Sequence, residues 1–280
     1  MPSLTNGSVE IHYEDHSPDD HGGDGRPVVL VHGWPLSGAS WSALVPALTA
    51  AGYRAVTYDR RGFGRSGKPG AGAPYDYDTL TSDLDALLRE LDLTDVTLVG
   101  FSMGGGEVAR YVGTHGEDRI HSVVFAGAIP PFLLKDEERN PDGGLDRESA
   151  QGMQAALRAD REAFFEDFTR TFFSADGEVM VSEEQRQEAL ALAAQADLDA
   201  AVACIESWLT DFRRDLDTVT VPTLVIHGDS DAIVPVEVSG LRTNEQVAGC
   251  NLVVLPRGPH GINVSHAEEF NRAVLDFLAQ

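Results

Sequence analysis

Short apolar runs and amphipathic stretches alternate along most of the chain. Residues 8–14 alternate apolar and polar positions (Val9, Ile11, Tyr13), as a strand with one buried face does. Continuous apolar runs follow at 27–31, 54–58, 96–99, 122–126, 221–226 and 252–255, each the length of a buried strand. Between them apolar residues recur three and four positions apart. Trp41, Leu44 and Leu48 predict a helix over 39–51, stopped at Gly52. Leu80, Leu84, Leu87 and Leu88 predict another over 78–91 with its acids outward. The same spacing predicts helices near 104–115, 236–247 and 267–278. Strands alternating with helices in this way build an α/β fold on a doubly wound, mostly parallel sheet.

The texture changes at Ile129-Pro130-Pro131. Residues 135–147 form a charged loop with Pro and Gly, and helical patterns then run without strands over 148–159, 161–173, 182–194 and 197–212. This predicts an inserted all-helical cap and divides the chain into core 1–129, cap 130–217 and core 218–280. Met153, Phe164, Phe165, Phe168, Phe172, Phe173 and Trp208 give the cap its apolar faces. Most of them must be cap core, with a minority lining a pocket between cap and sheet.

Charge narrows the classes of partner. The chain has 21 Lys and Arg against 45 Asp and Glu, a net charge of −24, and only Lys68 and Lys135 are lysines. Such a surface disfavours nucleic acid and anionic membranes. Its self-repulsion predicts stability that rises with ionic strength, unless the composition merely reflects a GC-rich genome. No apolar run approaches the ~18 residues of a membrane span, and the N-terminus lacks the form of a signal peptide. A cytoplasmic location is expected. Cys204, on a helix, and Cys250, in a turn, are read as separate thiols. His16 and His21 lie in a polar loop predicted over 15–26, where no regular element fixes their spacing, so no metal site is expected.

The chemistry centres on Gly100-Phe101-Ser102-Met103-Gly104, between a predicted strand and a predicted helix. A strand that turns at once into a helix forces its middle residue into a cramped conformation, and side chains at the two glycines would strike the neighbouring backbone. The Ser102 hydroxyl is then exposed at the strand end, with the Met103 N–H free at the helix start: a nucleophile beside an oxyanion donor. After the strand 27–31 comes His32-Gly33-Trp34-Pro35, whose Trp34 N–H is the candidate second donor; Pro35 stiffens the loop behind it. His32 itself is read as a packed loop residue. The loop 59–66 is glycine-rich and charged but lacks the Gly-Lys-Ser/Thr of a phosphate cradle, and is read as structural. Asp231 and His260 each follow a later predicted strand, so they share the carboxyl rim of the sheet with Ser102. His260 would serve as base and Asp231 would hold its tautomer. The rival acid Asp229 directly follows Gly228, and the rival base His266 opens the last helix rather than a tight turn.

Longer stretches carry a resemblance. His32-Gly33-Trp34-Pro35-Leu36, Tyr58-Asp59-Arg60-Arg61-Gly62-Phe63-Gly64 and Gly100-Phe101-Ser102-Met103-Gly104 through Glu107-Val108-Ala109-Arg110-Tyr111 are markers of one group. So are Pro131-Phe132-Leu133-Leu134-Lys135, Thr210-Asp211-Phe212-Arg213, Gly258-Pro259-His260-Gly261 and Ser265-His266-Ala267-Glu268-Glu269. The chain resembles α/β-hydrolases of the cofactor-free haloperoxidase and perhydrolase group, which includes aryl esterases and lactam-cleaving relatives. It departs from close relatives at Gly105, where they often carry Thr. The resemblance implies the α/β-hydrolase fold, the triad Ser102, Asp231 and His260, oxyanion N–H groups on Trp34 and Met103, no cofactor or metal, and homo-oligomers. A small ester or carboxylic acid is the expected substrate, with hydrogen peroxide as a second acceptor; amide or lactam cleavage and a non-catalytic ligand-binding protein are the alternatives. Pro35, Phe132 and Trp208 are expected to line the substrate pocket.

Overall fold

The computed structural model describes residues 2–17 and 25–280. His21, and with it most of the polar loop predicted over 15–26, lies outside the described residues. In chain order the elements are β1 (Ser3–Asn6), β2 (Val9–His16), β3 (Pro27–Val31), α1 (Leu44–Ala50), β4 (Arg54–Tyr58), α2 (Tyr77–Glu90), β5 (Val96–Phe101), α3 (Met103–His115) and β6 (Ile120–Ala126). There follow α4 (Arg147–Ala159), α5 (Arg161–Phe172), β7 (Ser174–Ala175), β8 (Glu178–Val179), α6 (Glu183–Ala193), α7 (Leu198–Ser207) and α8 (Arg213–Leu216). The chain ends with β9 (Thr223–Gly228), α9 (Gly240–Gln246), β10 (Asn251–Leu255), α10 (Ile262–Ser265) and α11 (Ala267–Leu278).

Among the described residues the main sheet has eight strands in the order β1-β2-β4-β3-β5-β6-β9-β10. β1, β2 and β4 pair antiparallel; every other neighbour pair is parallel. From β3 the chain steps outward to β4, then crosses back to β5 on the other side of β3. That reversal is a topological switch point, where the loops leaving two adjacent strands diverge and open a crevice. Val31 pairs with Gly100, so β3 and β5 end level and their loops emerge side by side. The segment between β6 and β9 adds no strand to this sheet.

Several expected elements are corrected. The helix expected over 39–51 is a 3-10 turn at Gly38–Trp41 followed by α1, because Pro46 has no N–H to extend α1 backward. The helix expected over 197–212 stops at Ser207, since Phe212 N–H donates to the Pro131 carbonyl and Asp211 bridges Phe132. The stretch 236–247 is helical only from Gly240. The region read as all-helical contains the small hairpin β7–β8. Its turn, Asp176-Gly177, has both residues at positive φ (52° and 83°), the Asp-Gly hairpin signal. β1 is an unexpected edge strand, joined to β2 through Gly7 at φ 61° after Asn6.

Candidate active site

The turn after β5 shows why its glycines are there. Ser102 sits at φ 54°, ψ −119°, a conformation that L side chains rarely adopt. A Cβ on Gly104 would lie 2.3 Å from the Val31 carbonyl oxygen, and one on Gly100 would lie 2.6 Å from the Gly104 oxygen. Without side chains at these two positions α3 packs directly onto β3 and β5. Ser102 is the cap residue of α3, and Met103 is its first residue, so the Met103 N–H lies ahead of the helix's own carbonyl ladder.

Three side chains from three loops meet on the carboxyl rim. Ser102 Oγ is 2.8 Å from His260 Nε2, and His260 Nδ1 is 2.7 Å from Asp231 Oδ2. All three residues are buried. The other Asp231 oxygen accepts backbone N–H groups of Ile233 at 2.9 Å and Val234 at 2.8 Å, which fixes the carboxylate. Burial would raise the Asp231 carboxyl, but the positive field of His260 and the hydrogen bonds from His227 and His260 outweigh it and hold the group well below the usual carboxylate range. The loops are joined as well, with Ser230 N–H donating to the Gly258 carbonyl at 3.0 Å. The rivals lie elsewhere. Asp229 is exposed and accepts from Arg257 N–H at 2.6 Å, while His266 Nδ1 lies 2.9 Å from Ser265 Oγ.

His32 is fully buried beside this rim without joining it. Its Nδ1 faces the Gly33 carbonyl at 2.8 Å and its Nε2 accepts from Arg60 N–H at 3.0 Å, so the proton sits on Nδ1. Burial, then the Arg60 charge, push its pKa well below the ordinary histidine value. Arg60 also donates to the His32 carbonyl at 2.6 Å and pairs with Glu107 of α3, which accepts from the Tyr58 hydroxyl at 2.7 Å. Burial drives the Glu107 carboxyl up against the pull of Arg60. This network ties the loop after β4 and the loop after β3 to the serine's helix. Sequence reasoning missed it; the signal was a Glu one helical turn after the glycines, on a helix face otherwise apolar.

Above Ser102 lies a cavity of about 190 Å³ lined by Trp34, Ile129, Leu133, Gly144, Leu145, Met153, Phe168, Trp208, Ala232, Ile233 and Val234. Trp208 is in the wall. Phe132 and Pro35 are not among its lining residues. Phe132 turns away to pack under the Arg213 and Arg139 guanidiniums, 5.0 and 5.7 Å from its ring centroid, and its neighbour Leu133 faces the cavity instead. Pro35 is buried. The cavity is well below the roughly 300–1,000 Å³ of drug-sized ligand sites. It suits a small, uncharged group.

Comparison with known proteins agrees with this architecture. A family model described as the alpha/beta hydrolase fold matches residues 26–267. A crystal structure of a bromoperoxidase from Bacillus anthracis is 52% identical and superposes with a TM-score of 0.92, over 97% of this chain and 96% of that one. The non-heme chloroperoxidase of Kitasatospora aureofaciens is 41% identical over 98% of both chains. A bifunctional esterase/perhydrolase of Acinetobacter calcoaceticus is 35% identical, again over 98% of both. The chain belongs to the α/β-hydrolase family, as an enzyme whose relatives are haloperoxidases, esterases and perhydrolases. No helix among the described residues is long and apolar enough to cross a membrane.

Proposed function

We propose that the protein is a serine hydrolase that forms an acyl-enzyme on small esters and passes the acyl group to water or to hydrogen peroxide. The observation that carries this reading is the hydrogen-bonded chain from Ser102 through His260 to Asp231, at 2.8 and 2.7 Å, opening on a small apolar cavity. Ser102 Oγ attacks the ester carbonyl while His260 Nε2 takes its proton. Asp231 holds the imidazole in the required tautomer and stabilises its cation. The Trp34 and Met103 N–H groups receive the oxyanion, each worth about 10²–10³ in rate. His260 returns the proton to the departing alcohol. Water or hydrogen peroxide then attacks the acyl carbon, losing its proton to His260, which passes it to Ser102 Oγ as the acyl–serine bond breaks and an acid or a peracid leaves. A peracid oxidises halide away from the enzyme, which accounts for a haloperoxidase name among the relatives. Homo-oligomerisation, a cytoplasmic location and a cap module over 130–217 belong to the same reading, and sedimentation velocity tests the first.

The deciding experiment is the initial rate on a short-chain aryl acetate, with and without hydrogen peroxide, for wild type and Ser102→Ala. Wild-type turnover lowered about 10⁴–10⁶-fold in the variant is expected, with peracid formed when peroxide is present. Equal rates in the two proteins remove Ser102 from the mechanism.

A further inference from the structure

Behind the triad acid stands a second imidazole. His227 lies on β9, where it pairs with Val254 of β10, and it is fully buried. Its Nε2 is 2.8 Å from the Val234 carbonyl oxygen and 3.4 Å from Asp231 Oδ2, the oxygen that faces His260. A carbonyl oxygen can only accept, so the proton sits on Nε2 and the N–H donates to Val234. Val234 in turn donates its own N–H to Asp231 Oδ1 at 2.8 Å. His227 thus grips the acid's turn through Val234 and stands beside the acid's other oxygen. Among the described residues the backbone donors to Asp231 are both on Oδ1, which leaves Oδ2 to the two imidazoles. The opposite ring nitrogen of His227 is unanswered. Nδ1 is sealed from solvent without a partner, and a Cβ on Gly240 would lie 2.7 Å from it.

A buried acceptor without a donor is costly and uncommon, and an apolar ring in this place would avoid the cost. What the imidazole adds is therefore at Nε2. We propose that His227 is a positioning residue that acts through Asp231, holding the carboxylate in the orientation that fixes the His260 tautomer. This rests on the acyl-enzyme reading above and adds a fourth side chain to its machinery. A paired strand is a rigid place for such a support, whereas Asp231 itself sits on the loop after β9. A rival account is available, because Ile233 and Val234 also line the cavity. On that account His227 would act on the cavity wall and not on the acid, and its effect would be independent of the Asp231 carboxylate.

The test is a double-mutant cycle on a short-chain aryl acetate. kcat and KM are measured for wild type, His227→Phe, Asp231→Asn and the double variant. His227→Gln is the conservative change, since its amide nitrogen reaches the position of Nε2 and still donates. His227→Phe is expected to lower kcat about tenfold with KM unchanged, and His227→Gln to recover most of that loss. Once Asp231 is replaced by Asn, His227→Phe should cost less than about twofold, because the group it acts through is gone. Unchanged kcat in folded His227→Phe overturns the proposal, as does a kcat in His227→Gln no higher than in His227→Phe. An equal loss in both backgrounds also overturns it and assigns the effect to the cavity wall. Should His227→Phe fail to fold, His227→Asn takes its place in the cycle. Its side chain is polar but too short to set an N–H at the position of Nε2, and the same comparisons decide. Failure of the underlying reading looks different. Wild type then turns the acetate over no faster than Ser102→Ala.

Discussion

The Phe172 ring stands edge-on to the His260 imidazole, with centroids 5.1 Å apart and planes at 87°. The Phe172 carbonyl also accepts the Gly261 N–H at 2.8 Å. The last turn of α5 is thus attached to the histidine loop by ring and by backbone, while Phe101 packs on the imidazole at 5.2 Å. His260 is positioned by the helices between β6 and β9 as much as by the sheet.

Truncating that contact separates support from stability. Phe172→Ala should cost about 3–5 kcal/mol in urea unfolding, as large-to-small core changes do. It should also lower kcat more than it raises KM, because the imidazole loses the wall that orients it. Phe277→Ala, on α11, serves as the comparison, with stability loss but kcat unchanged. Equal kcat in the two variants would show that Phe172 only fills space.

The two acids of the loop after β9 make a sharper pair. Asp231→Asn keeps an oxygen for the Ile233 and Val234 N–H groups but turns an amide toward His260 Nδ1, pinning the wrong tautomer. A loss of about 10⁴ in kcat is expected. Asp229→Asn keeps its bond to Arg257 N–H and should change kcat only a few-fold. The pH dependence has a definite sign. Asp231 is depressed in the folded protein, so its contribution to stability is present above the unfolded carboxyl value, about 3.9, and is lost as pH falls through the folded value. The destabilisation by Asp231→Asn should therefore be largest near neutrality and shrink on acidification. Unfolding free energies measured from pH 7 to 3 that run parallel would refute it.

What was legible in the chain was whatever backbone chemistry dictates locally. Continuous apolar runs marked β3, β5 and β9, and the glycines around Ser102 marked a turn that only they permit. The convergence of Ser102, Asp231 and His260 could be anticipated because each follows a strand of one parallel sheet. The choice between Phe132 and Leu133 could not. Adjacent residues on an irregular segment point opposite ways, and which one faces the cavity is decided by Arg139, Arg213 and the bridge to Asp211, all distant in sequence. The break after Ser207 has the same origin, since helical spacing persists through Phe212 while its N–H is claimed by Pro131. The edge strand β1 was hidden by shortness and polarity, although Gly7-Ser8, with glycine at the first turn position, is a recognised two-residue hairpin turn.

His32 predicts a second pH effect of its own. Its imidazole is held neutral in the folded protein, whereas in the unfolded chain it takes up a proton below about pH 6.5. Between the folded value and about 6.5 the unfolded state binds more protons, so stability must fall as pH falls. The contribution is at most about 1.4 kcal/mol per pH unit for one group. His32→Gln, whose side-chain oxygen can still accept the Arg60 N–H, should be less stable throughout but show a shallower slope between pH 6.5 and 5. A slope equal to that of wild type would mean the buried imidazole is not neutral.

The acid excess makes a prediction about salt in which two effects compete. Exposed pairs such as Arg139–Asp136 at 2.8 Å and Arg257–Glu178 at 2.6 Å weaken when screened, but each is worth little. The repulsion among the remaining acids is collective, because 45 carboxylates face 21 basic residues. Raising salt from 0.1 to 1 M shortens the screening length from about 10 Å to about 3 Å. That removes most of the repulsion between neighbouring surface acids while costing only a few weak pairs. Tm should therefore rise by about 5 °C or more between 10 mM and 1 M NaCl. A flat or falling Tm would mean that the carboxylates are spaced too widely to repel, leaving the charge as a matter of composition alone.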